Sequence, residues 1–163
     1  MMAPFQIDPM RLGDVPTVAS INLTTPMDEG HLREELARPW ARLWVARDED
    51  GVPVAFLIAW HVADELHVLN VATRADQRRR GIARALLDRA VAYSRARAVK
   101  HVLLEVRRSN RAAIALYRAV GFFAMGVRAR YYPDDEDAVE MVLMLDPETG
   151  SVVPHPDEVR LDS

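Results

Sequence analysis

The sequence predicts an α/β (α+β) fold, with a mixed, mostly antiparallel central sheet of about seven strands and helices on both faces. Three observations carry this. Apolar runs of strand length, separated by turn signals, fill much of the first half of the chain. Beyond residue 80 the apolar period lengthens to that of a helix, with Ile82, Leu86, Ala90 and Tyr93 on one stripe. The strand that follows this helix implies a crossover connection, and so a parallel pair within a sheet that begins antiparallel.

Phe5 and Ile7 mark a short first strand, and Leu12 to Leu23 reads as a helix with Asp14 as N-cap and Pro16 in its first turn. Gly30 to Arg38 reads as a second helix, stopped by Pro39. Leu43 to Arg47 and Val52 to Val62 are β-rich runs joined by Asp48-Glu49-Asp50-Gly51, a hairpin signal. A turn at Ala63-Asp64 leads into a strand from Glu65 to Thr73. Ile82 to Arg97 is the crossover helix, and Val102, Leu104 and Val106 mark the next strand. Asn110 to Val120 is a helix closed by Gly121, after which Phe122 to Tyr132 and Ala138 to Leu145 read as the last strands. A single domain is expected over residues 1–146, with 147–163 a loosely ordered tail rich in charge and proline.

Composition narrows the function. A net charge of −3 argues against general nucleic-acid binding, which rests on phosphate neutralisation. The absence of cysteine excludes disulfides, thiolate zinc sites and a cysteine nucleophile. The first residues lack the charged leader and long apolar stretch of a signal peptide, and the longest apolar run, Val52 to Trp60, is too short to span a membrane. A cytoplasmic protein without membrane contact is therefore expected. His61, Asp64, Glu65 and His67 cluster near a hairpin, but their spacing is no recognised metal frame, so no metal is expected.

The most informative segment is Arg78-Arg79-Arg80-Gly81-Ile82-Ala83-Arg84, between a strand and a helix. A helix that begins just after a glycine offers unpaired backbone N–H groups at its positive end. Arginines at that point make a phosphorylated ligand the natural guest. A second block runs Leu104-Glu105-Val106-Arg107-Arg108-Ser109-Asn110, then Ala113-Ile114-Ala115-Leu116-Tyr117, then Gly121-Phe122. It is a strand bearing a carboxylate, a polar turn, a helix bearing a phenol, and a glycine stop.

Together these blocks resemble the GNAT acetyltransferases, and within them the RimI-type protein N-terminal acetyltransferases that act on a ribosomal-protein alanine. The resemblance spans roughly Leu66 to Leu145, including Arg130-Tyr131-Tyr132-Pro133, and before Leu66 it is architectural only. It implies an acetyltransferase that moves acetyl from acetyl-CoA to the α-amine of a protein, a small-subunit ribosomal protein being the suggested partner. By the same resemblance, Arg78, Arg79, Arg80, Gly81, Ile82, Ala83 and Arg84 hold the pyrophosphate. The backbone of Val71, Ala72 and Thr73 pairs with the pantetheine arm, and Asn110 touches coenzyme A.

Glu105 is the expected general base. It shares a strand face with Leu103, away from Val102, Leu104 and Val106, and loss of solvation among aliphatic neighbours suits a carboxyl to accept a proton. Its plainer reading is a strand-end glutamate paired with Arg107 or Arg128. Tyr117 is the expected acid for a departing thiolate, or else a core tyrosine. Asn110 also reads as an N-cap. Tyr131 and Tyr132 are candidates for lining the acceptor channel. The acidic run Asp134 to Asp137 is either a substrate contact or a solvated turn. His67 or Glu65 is a fallback base. Two other functions compete: acetyl transfer to a small amine or lysine side chain, and a non-catalytic acyl-CoA sensor.

Overall fold

The computed structural model describes residues 5–22 and 27–161, so Leu23, the expected end of the first helix, lies outside the described residues. The chain divides into two compact units, one of Met1–His61 with Leu69–Ala90, the other of Val62–Val68 with Val91–Ser163.

In the first unit, β1 (Gln6–Pro9), β2 (Ala41–Arg47) and β3 (Pro53–Val62) form an antiparallel ladder with Ile7 opposite Ala46 and Trp44 opposite Leu57. The β2–β3 turn closes because Asp48 Oδ1 accepts the Asp50 and Val52 N–H groups while Gly51 adopts φ 79°. The expected first helix is shorter and divided: a 3-10 turn at Leu12–Asp14 precedes α1 (Val15–Ala19). Asp14 stands at the N-cap position of α1, but its carboxylate makes no cap bond. It accepts instead from the Arg47 guanidinium at 2.7 and 2.8 Å and from the Arg11 N–H at 2.8 Å. A two-pronged bond from a charged donor outweighs a single capping bond.

Helix α2 (Glu29–Ala37) is capped by Asp28, which accepts from the His31 N–H, and it stops ahead of Pro39. Its buried Glu35 accepts from Trp60 Nε1 at 2.7 Å and from Arg38, which ties the helix to β3. Val15, Val18, Ile21, Leu32, Leu43, Val45, Phe56 and Ile58 close over one another as the core of this unit. The last residues of β4 (Glu65–Thr73) belong here, and the Arg74 N–H donates to the Val54 carbonyl at 2.8 Å. Helix α3 (Ile82–Ala96) starts in this unit and ends in the other.

In the second unit the first residues of β4 pair in parallel with β5 (His101–Arg107), Leu66 opposite Val102. β5 lies antiparallel to β7 (Ala138–Leu145), and β7 to β6 (Phe123–Arg128). This is the expected mixed, mostly antiparallel sheet. Helix α4 (Arg111–Val120) ends at Gly121, whose φ of 126° and 3.0 Å approach to Val152 leave no room for a side chain. β6 stops at Arg128 rather than running to Tyr132, because Arg130 takes φ 54° and the chain turns.

The stretch after Asp146, read from composition as loose, contains β8 (Val152–Val153) on β7 and a run of further bonds. Arg95 Nε donates to the Gly150 carbonyl, and the His155 ring stacks on Phe123 at 4.4 Å. Asp157 pairs with Arg118 and accepts from the Ala124 N–H, while the Glu158 N–H donates to the Ala124 carbonyl.

Candidate active site

Strict alternation along β5 buries Val102, Leu104 and Val106 and leaves Leu103, Glu105 and Arg107 on the other face. The face assignment of Glu105 matches expectation, but its surroundings do not. Glu105 is exposed, and the groups around it are polar. Glu140 of β7 lies directly opposite in register. Tyr131 hydrogen-bonds Glu105, and that bond is the main reason its phenol is held above the ordinary tyrosine range. Neither arginine named as a plain partner is taken by Glu105. Arg107 pairs with Asp134 and Glu136, each at 3.0 Å, and Arg128 pairs with Glu140. Among the described residues Glu105 stands in no ion pair.

Tyr117, on α4, is half-buried, with its ring 5.8 Å from that of Phe122. Burial, reinforced by the nearby Tyr132 phenol, pushes its pKa up and keeps it protonated through neutral pH. Its hydroxyl has no hydrogen-bond partner among the described residues. Tyr131 and Tyr132 stack at 5.1 Å, and the Arg107 guanidinium lies 4.1 Å over the Tyr132 ring. The structure thus gathers Glu105, Tyr117, Tyr131 and Tyr132 in one unit around a turn that sequence alone read as a strand end. Asn110 caps α4 by accepting from the Ala113 N–H at 3.2 Å.

Carboxylates of the acidic run hold that turn in place. Asp134 and Glu136 bind Arg107, Glu136 also accepts from the Ser109 N–H, and Asp137 binds Arg108 and the Arg130 N–H. The turn is solvated, and its carboxylates also tie the segment that carries both tyrosines to Arg107, Arg108 and Ser109.

The arginine loop lies in the first unit. Val71, Ala72 and Thr73 end β4 half-buried, and a 3-10 turn at Ala75–Gln77 follows. Gly81 adopts φ 77° with open space where a side chain would stand. The first helical bond of α3 runs from the Ala85 N–H to the Gly81 carbonyl, so the N–H groups of Ile82, Ala83 and Arg84 precede the ladder. Arg78 Nε reaches the Thr73 carbonyl at 3.4 Å, Arg80 reaches Gln77, and Arg84 pairs with Asp88 at 3.3 Å. Exposed Arg79 makes no ion pair among the described residues, and its φ is 64°. Free backbone donors, a bare glycine and arginines held mostly by exposed partners fit a pyrophosphate.

Glu140 was missed in the sequence, and Arg128 was named there only as a partner of Glu105, not of Glu140. Nothing there sets the β5–β7 register, so the pairing of Glu140 with Glu105 gives no local signal. His67 bonds Glu65 at 2.9 Å, and no group of three or more His, Asp or Glu able to hold a metal occurs among the described residues.

The profile described as the acetyltransferase (GNAT) family matches residues 15–122. The chain is 34% identical over 142 residues to the [ribosomal protein bS18]-alanine N-acetyltransferase of Escherichia coli K12, covering 78% of this chain and 96% of that one. It is 35% identical over 150 residues to the N-terminal acetyltransferase complex ARD1 subunit homolog of Dictyostelium discoideum, covering 87% and 74%. The crystal structure of the E. coli ribosomal-protein-S18-alanine N-acetyltransferase superposes with a TM-score of 0.79 at 30% identity, over 94% and 97% of the two chains. With the arginine loop and the Glu105 cluster in place, these likenesses show that the chain belongs to the GNAT acetyltransferase family, as an acyltransferase of its RimI-like branch.

Proposed function

We propose that the protein transfers acetyl from acetyl-CoA to the α-amine of a protein N-terminus, a ribosomal-protein alanine being the first candidate. The observation that carries this is Glu105, outside every ion pair around it and bonded by Tyr131. The acceptor rests on the relatives, several of which are named for acetylating ribosomal protein bS18 at alanine. The catalytic domain is taken as residues 1–146.

When bound, acetyl-CoA supplies the acetyl group already activated as a thioester. Arg78 to Arg84, with Gly81 at the turn, would hold its pyrophosphate, and the Val71 to Thr73 backbone would receive its pantetheine arm. Asn110 would contribute beyond its cap. Glu105 accepts a proton from the substrate ammonium, directly or through water, and this frees the nitrogen lone pair for attack on the carbonyl carbon. The carbon–nitrogen bond forms as the carbon–sulfur bond breaks. Tyr117 gives its proton to the departing sulfur, and the second proton, shed by the acylated nitrogen, returns to the Tyr117 phenolate directly or through water. Tyr131 and Tyr132 orient the N-terminus at Glu105, and fixing the two reactants supplies much of the rate.

The test is thiol release with acetyl-CoA and two peptide sets, one with free N-terminal alanine, serine or methionine, the other N-terminally blocked with an internal lysine. Turnover only with free N-termini supports the reading. Turnover only on lysine, or binding without turnover, overturns it. In the same assay Glu105→Gln lowers kcat by about 10²-fold or more, while acetyl-CoA affinity measured by calorimetry holds. Equal activity in that variant removes Glu105 as the base.

A further inference from the structure

We propose that Glu140 is a positioning residue that holds the Arg128 guanidinium on itself and so keeps Glu105 free to take protons. The inference rests on the reading of Glu105 as base.

The geometry is specific. Glu105 and Glu140 stand directly opposite across β5 and β7, an arrangement that is repulsive unless a cation intervenes. Arg128 is the cation, two residues along β6 from Gly126, which pairs with Glu140, and itself opposite Ala138. Its Nε bonds Glu140 Oε1, although the arginine is 60% exposed and free to swing, while Glu140 is only 23% exposed. Gly126 leaves the carboxylate room: a Cβ there would stand 3.1 Å from Glu140 Oε2, and the side chain would have to shift by a few tenths of an ångström.

The remaining groups near Glu105 are committed elsewhere. Arg107 on β5 is bound to Asp134 and Glu136, and His67 on β4, beside Leu103, is bound to Glu65. Tyr131 bonds Glu105 and has Arg128 5.7 Å from its ring centre. Tyr132 lies next to it, with Tyr117 of α4 beyond. Glu140 and Arg128 are therefore the two groups whose exchange of partners changes the charge that Glu105 meets. With Glu140 neutral, Arg128 loses its hydrogen-bonded partner, and Glu105, whose charge already acts on that guanidinium, is the carboxylate left to draw it. A proton acceptor locked to a guanidinium is a poor one.

Two substitutions move the system in opposite directions. In Glu140→Gln, the acidic limb of the kcat/KM profile with an alanine-initiated peptide moves to lower pH, and kcat on the plateau falls. In Arg128→Gln the limb moves to higher pH, because Glu105 then faces Glu140 without a cation. Each displacement is about one pH unit, and the double variant returns toward the parent profile. Carbon-13 titration of the glutamate carboxyls, with Glu105 assigned through Glu105→Gln, reads the same displacements without turnover. Limbs and titrations that stay put, or move in the same direction in both single variants, overturn the proposal. If Glu105→Gln itself leaves rate and profile unchanged, the base assignment fails and this inference with it. A variant that only loosens the fold lowers the melting temperature without moving the limb, and that result also overturns it.

Discussion

Two side chains show how differently a residue can be used from what its position suggests. Tyr117 sits on a helix face where tyrosines are usually packing residues, yet its hydroxyl bonds nothing among the described residues and burial keeps it protonated. Tyr117→Phe is therefore expected to leave the melting temperature nearly unchanged while lowering kcat by about 10²-fold, read by thiol release beside a thermal scan. Asp14 reverses the case. Its carboxyl is held below the ordinary value of 3.8 chiefly by the hydrogen bonds from Arg47. A depressed carboxyl contributes stability in full above its unfolded value and loses it as pH falls through the folded one. Asp14→Asn should cost about 2–3 kcal/mol near neutral pH, measured by urea unfolding, and the cost should shrink below about pH 4. The places of Glu105 on β5, of Tyr117 on α4 and of Asn110 at its cap were legible in the sequence because a motif fixes their order. Their surroundings were not: desolvation was inferred for Glu105 from neighbours along its own strand, whereas the groups that set its field come from β6, β7 and the turn between them.

Helices and strands were read best where one local rule decided them. The Glu65 start and Thr73 end of β4 follow from a turn before and arginines after, and α4 follows from its cap and its glycine stop. Asn110→Ala should weaken α4 by about 1 kcal/mol, seen in urea unfolding and in faster amide exchange at the first turn of α4. The elements misread were those where a distant partner intervened. The first helix breaks after Asp14 because that carboxylate goes to β2, and β6 ends early because Arg107 and Arg108 pull the acidic turn toward the start of α4. Salt bridges between segments far apart in sequence leave no periodic trace, so neither boundary could be read from the chain alone.

For the whole chain, the class of sheet and the order of elements were legible, and the family followed from two motifs. The last residues were the least legible, because charge and proline resemble disorder even when the side chains find partners. In the second unit β6 is paired by β7 on one side, and on the other Ala124 exchanges bonds with Asp157 and Glu158 while His155 covers Phe123. That segment acts as a guard on an open strand edge, a place where proteins otherwise recruit further chains. A chain cut after Asp146 should thus be sticky before it is unstable. Sedimentation velocity is expected to show concentration-dependent oligomers absent from the full chain, and a monomer at every concentration would count against the guard. For anyone fusing a tag or partner to this protein, the carboxyl end is then a seal, and pulling on it exposes a strand built to be covered.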